Sequence, residues 1–499
     1  MPVVGVEPTR VISTRDFESP SSAIPTHRLM FRTLFIIPDS LPKIKTKNQR
    51  GNLPPGGLLF FRREVDRTRA GRYTGGRCFT PQEGLAVKNF DELLKKYADF
   101  IVRVGVNPQP GQVLIINCAL EGAPLARLCV RSAFEAGARD VQVNWTDDAV
   151  TRTRMELGSE EALTDHKGWQ LRRYLDYAET EGGVCVLHLI ADDPEVFAGL
   201  DGAKISRVNS ANRAFMQPWR EYTMNDRVQW SIAALPSVPW AKKVFPELDA
   251  DAAMEALWKL IFDVCRVTGG DPVNEWQAHM ERLSTLRDKM NALDLESVHF
   301  ESSNGTDLTV GLADQAVWES AASKSEKGVV FLPNIPTEEV FTAPHKDRVE
   351  GIVYGTKPYV FNGQLIKNFR VTFEKGRVVD YHAEQGQVLL GRLLDGDEGS
   401  RSIGEVALVP ASSPINRSGK LFYSTLFDEN AACHIAFGAS YPGTTKGGTA
   451  LTKEELLARG MNQSRLHEDV MIGAEDSHIT GKCRDGRTVE LFRDGVWVL

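Results

Sequence analysis

The stretch VLIINCALEGAPLARLCVRSAFEAGARDVQVNW, residues 113–145, decides the fold of the N-terminal half of this chain. It opens on the apolar run Val113–Cys118 and ends on a second apolar run, Val141–Trp145. Between them the apolar residues recur at helical spacing, with Pro124 at the start and Gly137 at the end, where those two residue types favour the ends of a helix. Strand, helix and strand in this order form a β-α-β unit, which predicts a parallel sheet.

The same alternation extends on both sides of this unit. Further helices are predicted at Phe90–Ile101 and near 169–180, 207–224, 251–265 and 274–293, and a strand at Gly183–Ile190. His188 lies inside that apolar strand, and we interpret it as a core histidine. The turn Leu120–Pro124 lacks G-x-G-x-x-G, which argues against a dinucleotide site. We therefore predict an α/β domain with a parallel sheet over residues 86–296.

From Ser297 onward, short strands and turns replace the helices. Turn signals at Asn304-Gly305, Lys375-Gly376 and Asp494-Gly495 each separate two short β-prone runs, which predicts three hairpins. Residues 297–499 are thus predicted to form a mostly antiparallel, β-rich domain, and the whole chain an α/β plus β-rich (α+β) protein.

Composition narrows the class of protein. The 499 residues are 42% hydrophobic and 25% charged, which is ordinary for a globular protein. The net charge of −7 gives no reason to expect nucleic-acid binding. No apolar run is long enough to cross a membrane. The seven cysteines are scattered and odd in number, which favours reduced thiols and a cytoplasmic location.

Residues 1–85 differ from the rest. They contain Pro, Gly and Ser breaks and basic clusters, and residues 1–80 hold 14 Lys and Arg against six Asp and Glu. We expect a disordered extension here. Its opening Gly5–Arg10 resembles a peptide produced when a reading frame is over-extended, so we also expect an over-called start site, with the natural protein beginning around Leu85–Lys88.

The segment HEDVMIG, residues 467–473, is the first chemical signal. If it is a strand, His467 and Asp469 project from the same face. An imidazole and a carboxylate so arranged suit Zn²⁺, Co²⁺ or Mn²⁺, although such a triplet is more often part of an ordinary surface strand.

Other acids and histidines precede it in recognisable motifs. These are NIPTEEVFTAP at 334–344, GEVAL at 404–408 and TLFDENAACHI at 425–435. Any one of these residues alone is more often structural. Together with HEDVMIG, and in this order, they resemble the aminopeptidase T and aminopeptidase S group of metallopeptidases, the thermophilic metalloprotease family. The resemblance extends over residues 88–499.

The resemblance implies a centre of two divalent ions in the second domain. Five ligands follow from the matched motifs, namely Glu339, Glu405, His434, His467 and Asp469. Glu405 would bridge both ions, with Glu339 and His467 toward one and His434 and Asp469 toward the other. Tyr441 would stabilise the oxyanion or orient the water, and Glu338 would be a general base or a supporting acceptor. Zinc, cobalt, manganese and, more weakly, magnesium all suit these ligands.

The function that the resemblance implies is a cytoplasmic, homodimeric metalloaminopeptidase. Such an enzyme hydrolyses the first bond of peptides with a free N-terminus through a metal-activated water. Two alternatives remain from the residues themselves. One is another two-metal hydrolase, an amidase or a phosphoesterase, and the other is a non-enzymatic peptide-binding protein.

Overall fold

Helices and parallel strands alternate in the first part of the protein, in a computed structural model that describes residues 89–191 and 193–499. The expectations for residues 1–85 lie outside the described residues. In chain order the first elements are α1 Phe90–Phe100, β1 Val113–Ala119, α2 Ala123–Glu135, β2 Asp140–Thr146, α3 Asp148–Leu157, α4 Glu160–Thr164, α5 Gly168–Ala178, β3 Val184–Ile190, α6 Gly202–Met224, β4 Trp230–Ala234, α7 Val238–Val244, α8 Ala250–Val264 and α9 Pro272–Ala292.

Strands dominate the second part. In chain order these elements are β5 Leu295–Glu301, β6 Asp307–Leu312, β7 Glu319–Ser320, β8 Ser323–Lys324, β9 Val330–Phe331, β10 Asn334–Ile335, β11 Val340–Thr342, β12 Pro344–Tyr354, β13 Tyr359–Phe361, β14 Gln364–Glu374, β15 Arg377–Gln385, α10 Gln387–Leu394, β16 Ile403–Leu408, α11 Pro414–Arg417, α12 Thr425–Asp428, β17 His434–Gly438, α13 Lys453–Ala458, β18 His467–Met471, β19 His478–Cys483, β20 Thr488–Arg493 and β21 Val496–Trp497.

The first sheet is parallel throughout, with strand order β10-β4-β3-β1-β2. Its central strands β1 and β3 are buried along almost their whole length, because helices cover both faces of a parallel sheet. The predicted β-α-β unit is confirmed as β1, α2 and β2. Strand β4 was not predicted from the sequence, since its five residues lie between strong helical patterns.

Two main antiparallel sheets make up most of the β-rich part, beside a two-stranded antiparallel sheet of β8 and β9. The larger has the strand order β13-β14-β12-β6-β5-β19-β20-β21, with β15 paired to β14. All three predicted hairpins are present in it, as the pairs β5–β6, β14–β15 and β20–β21. The smaller sheet has the order β18-β17-β16-β11-β7. The predicted fold class, α/β plus antiparallel β, is therefore confirmed.

A short connection joins the parallel sheet to the smaller antiparallel sheet. Strand β10 pairs with β4, and only four residues, 336–339, separate β10 from β11. The parallel sheet thus takes its edge strand from beyond residue 296, where we predicted the domain boundary. The described residues belong to one compact unit. The connection therefore keeps the end of β10, in the parallel sheet, close to the start of β11, in the smaller antiparallel sheet.

Helices α8 and α9 pack near this connection. The indole of Trp276 in α9 is fully buried, stacks on Phe100 with ring centroids 5.2 Å apart, and donates a hydrogen bond to the carbonyl of Cys265, 2.8 Å away. The end of α8 is thereby fixed against α9.

None of the helices within residues 89–191 and 193–499 has the length and apolar character that a membrane crossing requires. The six cysteines in the described part of the chain are all buried and unpaired.

Candidate metal centre

The smaller antiparallel sheet presents a set of acids and histidines on one face. Residues directly opposite one another in such a sheet project from the same face. Glu405 of β16 lies opposite Ala436 of β17, and Ala436 lies opposite Asp469 of β18. Ala436, which lies between the two carboxylates on this face, thus places only a methyl group between them.

The other predicted ligands follow from the same alternation. His434 precedes Ala436 by two residues, and His467 precedes Asp469 by two, so both imidazoles project from the face that carries Asp469. Glu339 lies just before β11 and reaches the same point from the neighbouring strand. The structure thus brings all five residues to one face.

The side-chain atoms lie within ligand distance of one another. His434 Nε2 is 3.1 Å from Glu339 Oε2 and 3.5 Å from Glu405 Oε1. His467 Nε2 is 3.6 Å from Glu405 Oε2 and also 3.6 Å from Asp469 Oδ1. Two ligand groups result, which share Glu405.

This grouping differs from the partition that the sequence suggested. Glu339 lies with His434, and His467 lies with Asp469. The expectation had placed Glu339 with His467 and His434 with Asp469, so that the two residues of β18 would serve different ions. In the structure the short β18 motif contributes both of its residues to one group.

A β-bulge directs Glu405 into the cluster. The register between β16 and β17 shifts between Ile403 and Glu405, so Gly404 is the extra residue. A Cβ atom on Gly404 would lie 2.3 Å from the backbone of Ala439, closer than packing allows. The glycine of the GEVAL motif is therefore required by the close approach of this backbone.

Backbone carbonyls fix the orientation of both histidines. The Nδ1 atom of His434 lies 3.2 Å from the carbonyl of Ala432, and that of His467 lies 2.7 Å from the carbonyl of Ala439. In the neutral imidazole, an Nδ1–H that donates to a carbonyl leaves Nε2 with a free lone pair. In both residues it is Nε2 that faces the acids.

Burial dominates the electrostatics of the cluster, and contacts between the acids and the histidines oppose its effect. Burial raises the pKa of the Glu405 carboxyl to about 7, against the lowering effect of the hydrogen bond with His434. Burial lowers the pKa of His434, but its hydrogen bonds with Glu339 and Glu405 outweigh this effect and hold the pKa well above the usual range. Acids placed so close together need a cation beside them.

Glu429, within the TLFDENAACHI motif, is a further acid at this site and was not among the predicted site residues. It is 6% exposed and lines the same cavity. Burial, followed by the charges of Asp469 and Glu339, raises the pKa of its carboxyl well above the usual range. The sequence feature that could have identified Glu429 is its position in TLFDENAACHI, five residues before His434.

The residues fit a divalent metal. Asp469 Oδ1 is buried and has no hydrogen-bond partner in the described part of the protein, an arrangement that is costly unless a cation or water satisfies it. Carboxylate oxygens and neutral imidazole nitrogens are ligands that Zn²⁺, Co²⁺ and Mn²⁺ accept. Within residues 89–191 and 193–499, the two groups that could hold a metal both lie here.

The two other predicted site residues, Tyr441 and Glu338, differ in what they contact. Tyr441 lines the cavity, and its ring packs edge-on against His467 with centroids 4.7 Å apart. Burial raises the pKa of its phenol well above the usual range. The carboxylate of Glu338, in contrast, is paired with Arg266.

A buried cluster of carboxylates and imidazoles has the composition of a metal centre, and comparisons with known proteins show the class of protein to which the chain belongs. The chain matches the thermophilic metalloprotease (M29) family over residues 90–497. Aminopeptidase 2 of Geobacillus stearothermophilus is 42% identical over 411 residues, covering 82% of this chain and 99% of that relative. Aminopeptidase T of Thermus aquaticus is 39% identical over 410 residues, with coverage of 82% and 99%.

A solved structure agrees with these relatives. Wild-type AmpT from Thermus thermophilus has a TM-score of 0.75 and 38% sequence identity, and the match covers 82% of this chain and 100% of that one. The chain belongs to the thermophilic metalloprotease family. The predicted family and the prediction of a metal-dependent peptidase are confirmed, and aminopeptidase activity is the function that these relatives support.

The geometry around Ala436 gives a first testable prediction. Ala436→Leu should abolish divalent-metal binding, because the larger side chain would occupy the space between Glu405 and Asp469. Overpacking at this position should also lower the free energy of unfolding by about 1–3 kcal/mol. Metal content after equilibrium dialysis, measured by elemental analysis, provides the test.

Ala436→Ser, which is nearly the same size, is the matched control and should retain its metal. Full metal content in the folded leucine variant would show that this space does not hold the ions.

Proposed function

We propose that this protein is an aminopeptidase that works with two divalent ions, held by Glu339, Glu405, His434, His467 and Asp469. The observation that supports two ions is the pair of ligand groups with Glu405 in common. One carboxylate with an oxygen toward each imidazole, Oε1 toward His434 and Oε2 toward His467, is suited to bridging.

Glu429 completes the charge balance in this proposal. With Glu339, Glu405 and Asp469 it brings the carboxylates at the site to four, and all of them lie in or beside the same cavity. Four negative charges would balance two divalent ions, which makes a buried centre electrostatically feasible.

Bound divalent ions would supply a water molecule whose pKa lies near neutrality and would polarise the carbonyl under attack. Zinc, cobalt, manganese and magnesium remain the candidate metals, since the ligands are oxygen and imidazole nitrogen. The residues of the chain then hold the substrate and exclude other orientations of it.

The substrate is a peptide with a free N-terminus. A free α-amino group can bind at an acidic metal centre, whereas an acylated one has neither the positive charge nor the basic lone pair. Anchoring the amine at the cluster places the first peptide bond beside it and confines hydrolysis to that bond. The cavity measures about 740 Å³ and includes the aromatic rings of Trp230, Phe341 and Tyr441 in its lining, a volume typical of ligand sites.

Tyr441 is the proposed donor to the oxyanion that forms at the scissile carbonyl. Its raised pKa keeps the phenol protonated at neutral pH, so that the hydroxyl donates a hydrogen bond instead of accepting a proton. Contact with His467 holds the ring at the edge of the cluster.

Cytoplasmic location and homodimer formation belong to the same proposal. The buried, unpaired cysteines of the described residues are consistent with a reducing compartment.

Removal of the shared ligand tests the metal centre directly. Glu405→Ala should lose its bound metal and the hydrolysis of aminoacyl-anilides, while circular dichroism shows the fold retained. Chelation of the metal from the unaltered protein should have the same effect on activity. The matched control is Glu374→Ala, an exposed acid on β14, which should behave as the unaltered protein. Full activity in Glu405→Ala or in the metal-stripped protein would refute the proposal.

Substrate chemistry separates this proposal from the alternatives. A peptide with a free amine should be cleaved after its first residue, and the same peptide with an acetylated N-terminus should be inert. Phosphate esters should not be hydrolysed. Product release measured by mass spectrometry distinguishes turnover from binding without cleavage. Efficient cleavage of the acetylated peptide would contradict amine anchoring, and phosphate-ester turnover alone would identify a phosphoesterase.

Tyr441→Phe tests the oxyanion donor. Its kcat should fall by about 10²–10³-fold, the usual effect of removing such a donor, with metal content unchanged. Tyr354→Phe, on β12, is the control. A phenylalanine variant with unaltered kcat would exclude Tyr441 from this role.

A further inference from the structure

The four residues between β10 and β11 decide where Glu339 points, and their surroundings are unusually polar. Thr337, Glu338 and Glu339 are all buried, at 1%, 6% and 7% exposure. Because the two glutamates are adjacent, either one could act as a metal ligand, depending on which of them faces the cluster. In an extended segment they project to opposite sides.

Both sides of the connection are anchored through the backbone. His279 Nε2 lies 2.9 Å from the carbonyl oxygen of Thr337. The amide of Glu338 donates to Oδ1 of Asn430, 2.7 Å away, and Asn430 also donates to Oε1 of Glu429 at 3.3 Å. The segment is therefore tied to helix α9 on one side and to the Glu429 segment on the other.

The side chain of Glu338 is held away from the cluster by a buried ion pair. Arg266 Nη2 lies 2.5 Å from Glu338 Oε1, and His279 Nε2 lies 3.5 Å from Glu338 Oε2. The Arg266 side chain is 14% exposed, and its guanidinium lies over the ring of Trp276, 5.1 Å from the centroid. Both partners of the pair are thus largely removed from solvent.

Arg266 occupies a backbone position where glycine is the favoured residue. It follows the C-cap of α8 and has a φ of +59°, in the left-handed region. An arginine there is strained relative to glycine, and such strain persists when the surroundings hold the residue in place. Here the strained position directs the guanidinium at Glu338.

We propose that Arg266 is a positioning residue that selects Glu339 over Glu338 as the metal ligand. By pairing with Glu338, Arg266 removes a competing carboxylate from reach of the ions and fixes the segment with Glu339 facing the cluster. This inference rests on the proposed function in one respect, the presence of divalent ions at the cluster.

The ion pair between Arg266 and Glu338 predicts opposite effects on metal affinity for a single and for a double substitution. Without Arg266, the Glu338 carboxylate is a buried charge with no strong partner and competes for the metal. Arg266→Met should therefore weaken metal binding by about 10–100-fold, the usual effect of losing a supporting partner. The double variant, Arg266→Met with Glu338→Gln, lacks the competing carboxylate. Its metal affinity should lie within about threefold of that of the unaltered protein, a smaller loss than the one expected for Arg266→Met. A purely structural role predicts that the double variant is no better than the single one.

Titration of the metal-stripped full chain with Co²⁺ measures both effects. The visible absorption of bound Co²⁺ reports the ligand set, so a spectrum altered in Arg266→Met and recovered in the double variant is the expected result. Arg401→Met, which removes an arginine paired with Asp395 at 2.7 Å, is the matched control and should leave the affinity unchanged. Circular dichroism and the Tm of each metal-free variant separate misfolding from loss of ligand position.

Three results would overturn the proposal. The first is an unaltered Co²⁺ affinity and spectrum in Arg266→Met. The second is a double variant whose Co²⁺ affinity does not recover. The third is loss of Co²⁺ binding in Glu338→Gln alone, which would make Glu338 itself a ligand. Glu338→Gln keeps an acceptor for Arg266 and tests the proposal even if Arg266→Met does not fold. If the unaltered protein binds no Co²⁺, the proposed function itself fails, which is a distinct outcome.

Discussion

The mutual repulsion of buried carboxylates is the constraint on which the rest of this structure depends. Glu339, Glu405, Glu429 and Asp469 lie around one point with two imidazoles, largely shielded from water. Without a cation such a cluster opposes folding, because desolvation and like charges both disfavour the ionised forms. The carbonyls that fix the histidines and the alanine between the acids all serve to leave room for that cation. Stability and chemistry are therefore tied to the same ion.

The parallel sheet contributes to this centre from outside. It carries none of the five proposed ligands, yet its edge strand β10 leads within four residues to Glu339. Arg266, just after α8, and His279 of α9 pair with the neighbouring Glu338. Part of the cavity wall also comes from this half of the protein, including Trp230 of β4. The β-rich half thus carries all five proposed ligands, and the other half contacts the segment that bears Glu339.

Much of the fold and of the candidate site could be predicted from sequence, whereas the remainder depended on the register of the paired strands. The β-α-β unit and the hairpins follow from local apolar spacing and turn residues, and the proposed ligands were inferred from resemblance to a family. The pairing of Glu339 with His434 could not be predicted, because it depends on which strands are neighbours and on the shift at Gly404. Ala436 carried no chemical signal of its own, and Arg266 lies 72 residues from its partner in the chain.

The bulge at Gly404 has a consequence for how such an enzyme can evolve. Without Gly404, Ile403 opposite Phe437 would be followed directly by Glu405 opposite Ala436, so the pairing of Glu405 would remain but the bulge and its local bend beside the cluster would be lost. An insertion after Gly404 would instead move Glu405 out of register with Ala436 and turn its side chain to the opposite face of the sheet. The length of β16 between the bulge and Glu405 therefore sets the face on which this carboxylate lies.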